Sequence, residues 1–347
     1  MIDPLKLVRP NILRLQPYST ARDEFGGGEI DIWLDANESP YDNGVNRYPD
    51  PRHKQLKSRI AALKGIAEDT IFIGGAGSDE AIDLVYRIFC VPGKDKAIIL
   101  SPTYGVYSVA AEINDIEIVD IPLEADFALP VSEILEKTAR DSDIKLLWIC
   151  SPNNPTGNAY APEEIIRIAD NFNGIVAVDE AYVDFSAKGS LLKEITLHPN
   201  IIVLQTFSKA WGMAGLRCGM AFAVPSIAAI FNRVKYPYNL NGPTQKKIME
   251  MIEENPQEKV SEIIGQREKL AESLKKLPWI LKVYPSDANF LLVEMQEPDK
   301  VYDYLIKNGV IVRNRSKVRG CGPSLRFTVG TPLENERVIS LLNNYYG

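Results

Sequence analysis

A mainly parallel α/β sheet flanked by helices, followed by a smaller α+β unit, is the fold class that three observations predict. Short apolar runs alternate with amphipathic, helix-like segments through the first two thirds of the 347 residues, the pattern of a parallel sheet covered on both faces. Beyond about Val234 the alternation gives way to one long charged helical pattern and a few strand-like runs. The first 30 or so residues are broken by Pro10, Pro17, Gly26, Gly27 and Gly28, which suits an arm rather than a packed element. The expected organisation is an arm over 1–30, a large α/β domain over 31–234 and a small α+β domain over 235–347.

Each element has its own grounds. IFIGGAGSDEAIDLVYRIF (Ile71–Phe89) runs from a strand through a glycine-rich turn into a helix. Ala97–Leu100, Ile116–Ile121, Lys145–Cys150, Ile175–Asp179, Ile201–Thr206 and Gly219–Val224 are short apolar runs of strand length. Between them, PEEIIRIADNF opens on Pro162 and two glutamates, which suit the first turn of a helix. In the last third, PQEKVSEIIGQREKLAESLKKL and PDKVYDYLIKNG predict helices, and SDANFLLVEM and SLRFTVG predict strands. There are no internal repeats and no low-complexity tracts.

Composition removes several function classes. Lys and Arg total 39 against 46 Asp and Glu, a net charge of −7, so there is no basic excess to hold a phosphate backbone. The expectation is no nucleic-acid partner. MIDPLKLVRPNILRL carries Lys6, Arg9 and Arg14 and no apolar core of signal-peptide length. No run of about 18 apolar residues occurs, and a soluble cytoplasmic protein with no membrane partner is expected. Cys90, Cys150, Cys218 and Cys321 form no CxxC pair, which fits structural thiols in a reducing compartment. The only histidines, His53 and His198, stand apart from cysteine clusters and carboxylate pairs, so neither a metal centre nor a histidine triad is expected.

In open α/β sheets ligands bind beyond the carboxyl ends of the strands. SPNNPTG follows KLLWIC, Asp179 ends IVAVD with Tyr182 three residues on, and Lys209 follows IIVLQT. Taken singly, SPNNPTG is as readily a turn, Asp179-Glu180 a helix cap, Tyr182 a core residue and Lys209 a solvated loop lysine. Together they bring an asparagine, an aspartate, a tyrosine and a lysine to one sheet edge. Upstream, the amides of Gly77, Ser78 and Asp79 would open a helix able to hold a phosphate. That turn is neither GxGxxG, since Glu80 occupies the third glycine position, nor GxxxxGK[ST].

Asn154 in PNNPTG, Asp179 and Tyr182 in DEAY, Lys209 in SK and Arg217 eight residues later resemble the motif set of the fold type I pyridoxal-phosphate (PLP) aminotransferases. LQPYSTARDEFGGGEIDIWLDANESP, RYPDP and SLRFTVGTPLENERV narrow the resemblance to the histidinol-phosphate aminotransferase family, over nearly the whole chain. The resemblance implies PLP as cofactor and Lys209 as the amine that condenses with its aldehyde and shuttles protons. Desolvation and cations such as Arg217 would keep that amine neutral. It further implies Asp179 on the pyridinium nitrogen, Asn154 and Tyr182 on the ring hydroxyl oxygen, and Tyr104 stacked on the ring. The cofactor phosphate would lie on the Ser78 and Asp79 amides, the Thr206 and Ser208 hydroxyls and Arg217, with Tyr48 donated across a homodimer interface.

For substrate, the resemblance implies Arg326 and Arg313 on the anionic group, with Tyr18 and Asn37 closing from the N-terminal side. Arg326 lies in the apolar run LRFTV, where a cation needs an anionic partner. Arg315, Lys317 and Arg319 are expected to form a solvated charged loop. The implied reaction is ping-pong transfer between L-histidinol phosphate and 2-oxoglutarate, giving imidazole acetol phosphate and glutamate. An aromatic aminotransferase and a threonine-phosphate decarboxylase are the alternatives. A non-catalytic DNA-binding relative would need a further domain, and no basic N-terminal helix-turn-helix is expected from this sequence.

Overall fold

The computed structural model describes residues 3–18 and 31–345. Positions 19–30 of the expected arm lie outside the described residues. Among the described residues, the first sheet has seven strands: β1 (Ile71–Gly77), β2 (Lys96–Ser101), β3 (Glu117–Pro122), β4 (Ile144–Cys150), β5 (Ile175–Asp179), β6 (Ile201–Thr206) and β7 (Gly219–Phe222). Their order is β1-β7-β6-β5-β4-β2-β3. β2 through β6 pair in parallel, and β7 runs antiparallel to both β6 and β1. Every expected run in this region is a strand, and β1 passes directly into the helix Ser78–Phe89.

The apolar runs are continuous because both sheet faces are covered. Leu147 and Ile149 of β4, Val176 and Val178 of β5 and Val203 of β6 face one core, shared with the helices Lys54–Lys64 and Pro162–Asn171. Leu146 and Trp148, Ile175 and Ala177, and Ile202 and Leu204 face the other, shared with the helices Ser78–Phe89, Val106–Ile113 and Pro225–Val234. The alternation is the period of a strand. It leaves the carboxyl ends of β4, β5 and β6 as the place where polar side chains leave the core.

The second sheet is antiparallel, in the order β10-β11-β9-β8, from β8 (Ile280–Val283), β9 (Phe290–Met295), β10 (Arg313–Asn314) and β11 (Ser324–Thr328). Its core gathers Leu291, Val293, Leu325 and Phe327 with apolar residues of the helices Gln257–Lys275, Pro298–Lys307 and Pro332–Asn343. β8 and β10 carry no clear sequence signal: ILKV is only partly buried and β10 has two residues. Leu240, Ile248 and Ile252, beyond the expected boundary at 234/235, pack into the first sheet's core. Tyr182, Phe185 and Ala210 meet Val260, Ala288 and Phe290 in a separate cluster that ties the two sheets together.

Candidate active site

A cavity of about 350 Å³ opens at the carboxyl ends of β4, β5 and β6. Ser78, Asp79, Tyr104, Asn154, Asp179, Tyr182, Thr206, Ser208, Lys209 and Arg217 line it, and the second sheet contributes Arg313 and Arg326. Twelve of the fifteen expected site residues thus share one space. Tyr18, Asn37 and Tyr48 do not. Tyr18 lies at a separate surface depression with Arg52 and Lys235. Asn37 and Tyr48 line another with Asn241 and Lys246, and Tyr48 stacks on Tyr238 at 4.3 Å between ring centroids.

One end of the cavity is built to receive an anion. The helix Ser78–Phe89 points its first turn there, and the Ser78 and Asp79 amides have no carbonyl one turn back to bond. The Gly77 amide, expected to join them, instead donates to the Arg217 carbonyl at 2.9 Å. Arg217 holds a left-handed φ of 52°. Its Nη2 donates to the Ala76 carbonyl at 2.9 Å and lies 3.5 Å from Asp79 Oδ2. Thr206 Oγ1 sits 2.9 Å from Ser208 Oγ and 3.1 Å from the Cys218 carbonyl. Glycine is required twice: Gly77 turns the chain at a φ of 75°, and a Cβ on Gly219 would strike the Ser78 amide nitrogen. Glu80 explains its own presence where a dinucleotide turn has glycine. It accepts from the Gly75 amide and from Asn239 Nδ2, and so braces the β1-helix junction.

The middle of the cavity holds Asp179 at the end of β5. Its Oδ2 accepts from Tyr107 Oη at 2.8 Å and its Oδ1 from the Ala181 amide at 3.0 Å. Burial pushes its carboxyl up to about 6, against the pull of those two donors. Tyr107 itself stacks on Trp148 at 4.7 Å. Tyr104 crosses Tyr107 edge to face and donates to Asp79 Oδ1 at 3.3 Å. Lys209 Nζ lies 5.5 Å from the Tyr182 ring centroid. Its amine is pulled below the ordinary lysine range, first by burial and next by Arg326. Desolvation is the expected cause; Arg217, the cation expected beside it, contributes least among the causes, and Asp179 and Asp79 oppose the shift.

At the opposite end, Arg326 Nη1 donates to Asn154 Oδ1, and its guanidinium stands 4.9 Å over the Phe290 ring. Two residues at the cavity go beyond what their sequence context implies. Arg315, expected in a solvated loop, lines the cavity, because it continues the strand alternation begun at Arg313. That alternation is visible in VRNRS. Tyr107 carries no such signal, since a buried tyrosine in an apolar helix is indistinguishable from core. Arg319 behaves as expected of a surface charge and pairs with Asp120 at 2.8 Å.

This donor set fits a phosphate-bearing pyridine aldehyde. An anion cradle, a buried carboxylate and a lysine amine in one cavity match a phosphate, a ring nitrogen and an aldehyde on one flat molecule. The family model for aminotransferase class I and II matches residues 25–342. A histidinol-phosphate aminotransferase of Parabacteroides distasonis is 49% identical over 99% of each chain. The solved histidinol-phosphate aminotransferase of Clostridium acetobutylicum superposes with a TM-score of 0.77 at 24% identity, over 86% of this chain and 90% of that one. That of Sinorhizobium meliloti, in complex with pyridoxal 5'-phosphate, gives 0.78 at 20% identity, over 86% and 83%. The chain belongs to the class I and II aminotransferases, enzymes that work with pyridoxal 5'-phosphate.

Proposed function

We infer that the protein catalyses reversible ping-pong transfer of an amino group between L-histidinol phosphate and 2-oxoglutarate, giving imidazole acetol phosphate and glutamate in histidine biosynthesis. The observation that carries this reading is one cavity in which a depressed lysine amine and a buried aspartate face arginines from the second sheet. The near full-length relatives that bear that activity's name give the substrate.

The geometry supports the following residue roles. The Ser78 and Asp79 amides, Thr206, Ser208 and Arg217 would hold the cofactor phosphate, and Tyr104 would cover the ring. Asn154 and Tyr182 would hydrogen-bond the ring hydroxyl oxygen. Asp179 would hold the ring nitrogen in its protonated form, and Tyr107 keeps the Asp179 carboxylate oriented for that contact. When bound, the cofactor supplies an electron sink for the pair released as the substrate Cα–H bond breaks. Lys209 Nζ would take the Cα proton of the amino donor in one half-reaction and deliver a proton to Cα of the oxo acid in the other; taking it requires the neutral amine that burial and Arg326 favour. Arg313 and Arg326 bind the anionic group that each substrate presents, since guanidinium accepts carboxylate or phosphate in the same forked geometry.

We further propose a homodimer in which Tyr48, Asn37 and Tyr18 act at the partner's cavity. Their exposure away from their own cavity supports this, and Tyr18 is 74% exposed. We retain the division into arm, large and small units, with the helix Gly242–Met251 packed on the large one. A cytoplasmic location is supported by four buried, unpaired thiols, and no helix among the described residues is long and apolar enough to cross a membrane.

The test is purified holoenzyme with histidinol phosphate and 2-oxoglutarate, scored by glutamate formed. Phenylalanine as amino donor and carbon dioxide release from threonine phosphate are run alongside. Histidinol phosphate is expected to be the best donor. Preference for phenylalanine, or decarboxylation of threonine phosphate, overturns the substrate assignment.

A further inference from the structure

The β10–β11 ladder places Arg313 opposite Arg326 and Asn314 opposite Leu325. The pairing continues one step further, where the Arg315 amide donates to the Ser324 carbonyl at 2.9 Å. Strand alternation therefore sends Arg313 and Arg315 to the face that carries Arg326. Asn314, between them, goes the other way and donates to Asp299 at 2.6 Å. All three arginines line the cavity, and Arg315 is half-buried there.

None of the three is paired with a carboxylate among the described residues; the cavity's acids are committed elsewhere, Asp79 beside Arg217 and Asp179 under Tyr107. Arg326 spends one donor on Asn154. The Nε atoms of both Arg315 and Arg326 are buried without a hydrogen-bond partner, and a buried guanidinium donor left unmet is costly. The solvated neighbours on the same loop show the contrast: Lys317 is exposed and Arg319 is neutralised by Asp120. Three guanidinia without a carboxylate partner on one sheet face exceed what a single carboxylate requires. A bidentate pair already satisfies one carboxylate, so the third cation has a use only where the ligand brings a second negative charge.

We propose that Arg315 is a specificity-determining residue that selects dianionic substrates, a phosphate ester or a dicarboxylate, over monocarboxylates of similar size. The proposal rests on the reading of the protein as a histidinol-phosphate aminotransferase. It gives both half-reactions one criterion. Histidinol phosphate above its second phosphate ionisation and glutamate with its two carboxylates each carry two anionic charges to the arginine face, whereas phenylalanine carries one.

The test uses the holoenzyme and its Arg315→Gln and Arg315→Lys variants. The readouts are kcat/KM for histidinol phosphate and inhibition constants for glutarate, a dianion, and 3-phenylpropionate, a monoanion. In R315Q, kcat/KM for histidinol phosphate and affinity for glutarate are expected to fall about ten- to a hundredfold, the worth of one charge-assisted hydrogen bond. Affinity for 3-phenylpropionate should change less than about threefold. R315K should fall between, since lysine keeps the charge and loses the fork. The rise in KM for histidinol phosphate as pH drops through about 6, where the phosphate takes up a proton, should flatten in R315Q. Equal losses for dianion and monoanion, or no loss for either, would overturn the proposal. Failure of the unmodified enzyme to use histidinol phosphate would instead overturn the reading on which it rests.

Discussion

Asp179 shows how one buried atom pair sets both stability and chemistry. Its carboxyl is raised to about 6 by burial, against about 3.9 for an unfolded aspartate. The folded apoprotein therefore holds a proton that the unfolded chain releases, and stability is lost as pH rises from about 4 through 6. A roughly hundredfold difference in proton affinity between the two states corresponds to about 3 kcal/mol. Apo Asp179→Asn should be more stable than the unmodified apoprotein at pH 8 by an amount of that order, and the gap should close toward pH 4. Cofactor addition should reverse the ranking at pH 8, because the carboxylate then meets a protonated ring nitrogen. Urea unfolding at both pH values, with and without PLP, measures this; a gap independent of pH would remove burial of Asp179 as its cause. The aspartate was legible in the sequence because it ends an apolar run. Tyr107, which holds it, was not, because a helix that packs an aromatic and one that presents a hydroxyl have the same pattern.

The junction between β1 and the helix Ser78–Phe89 is the element on which the anion cradle depends. No loop separates strand from helix, and Gly77 turns the chain with a φ of 75°. The junction is kept in place from outside by Glu80, which receives the Gly75 amide and Asn239 Nδ2. Asn239 in turn reaches the Ile73 carbonyl at 2.9 Å. Glu80→Ala would take a charged acceptor from the half-buried Gly75 amide and should cost about 1–3 kcal/mol. PLP affinity should fall with it, while the neutral Glu80→Gln, which still accepts, should lose less. Equilibrium dialysis of PLP and urea unfolding report the two effects, and an E80A protein with unaltered cofactor affinity would contradict a bracing role. The strand and helix of this junction were readable from IFIGGAGSDEAIDLVYRIF. Its brace was not, since Glu80 and Asn239 are 159 positions apart and no local period links them.

Across the whole molecule, the doubly covered sheet was legible because its alternating faces produce continuous apolar runs. β8 and β10 were not, since edge strands that are short and half-exposed leave no such trace. Nor could the chain's own sequence place Tyr18, Asn37 and Tyr48, which the fold sets on its surface away from the cavity. If each cavity takes Tyr48 from a second subunit, defects on different chains should complement. Lys209→Ala should lower turnover by about a thousandfold or more, and Tyr48→Ala should weaken PLP binding. Refolding the two variants together at equal concentrations should restore about a quarter of full activity, because half the dimers are mixed and each mixed dimer has one intact site. A mixture no more active than the average of its parents would exclude a shared site.

The parts that perform the chemistry and the parts that choose its target have different structural addresses. Lys209, Asp179 and the anion cradle belong to the first sheet, held by a ladder covered on both sides. Arg313 and Arg326 stand on β10 and β11 of the second, and Arg315 directly follows β10. Of these three, Arg326 reaches across that divide, to Asn154. The molecule is therefore modular in an evolutionary sense. Mutations accumulating on β10 and β11 can retune what is accepted while the transamination engine is inherited intact, so that new amino donors are reached by drift on one hairpin instead of reinvention of the catalyst.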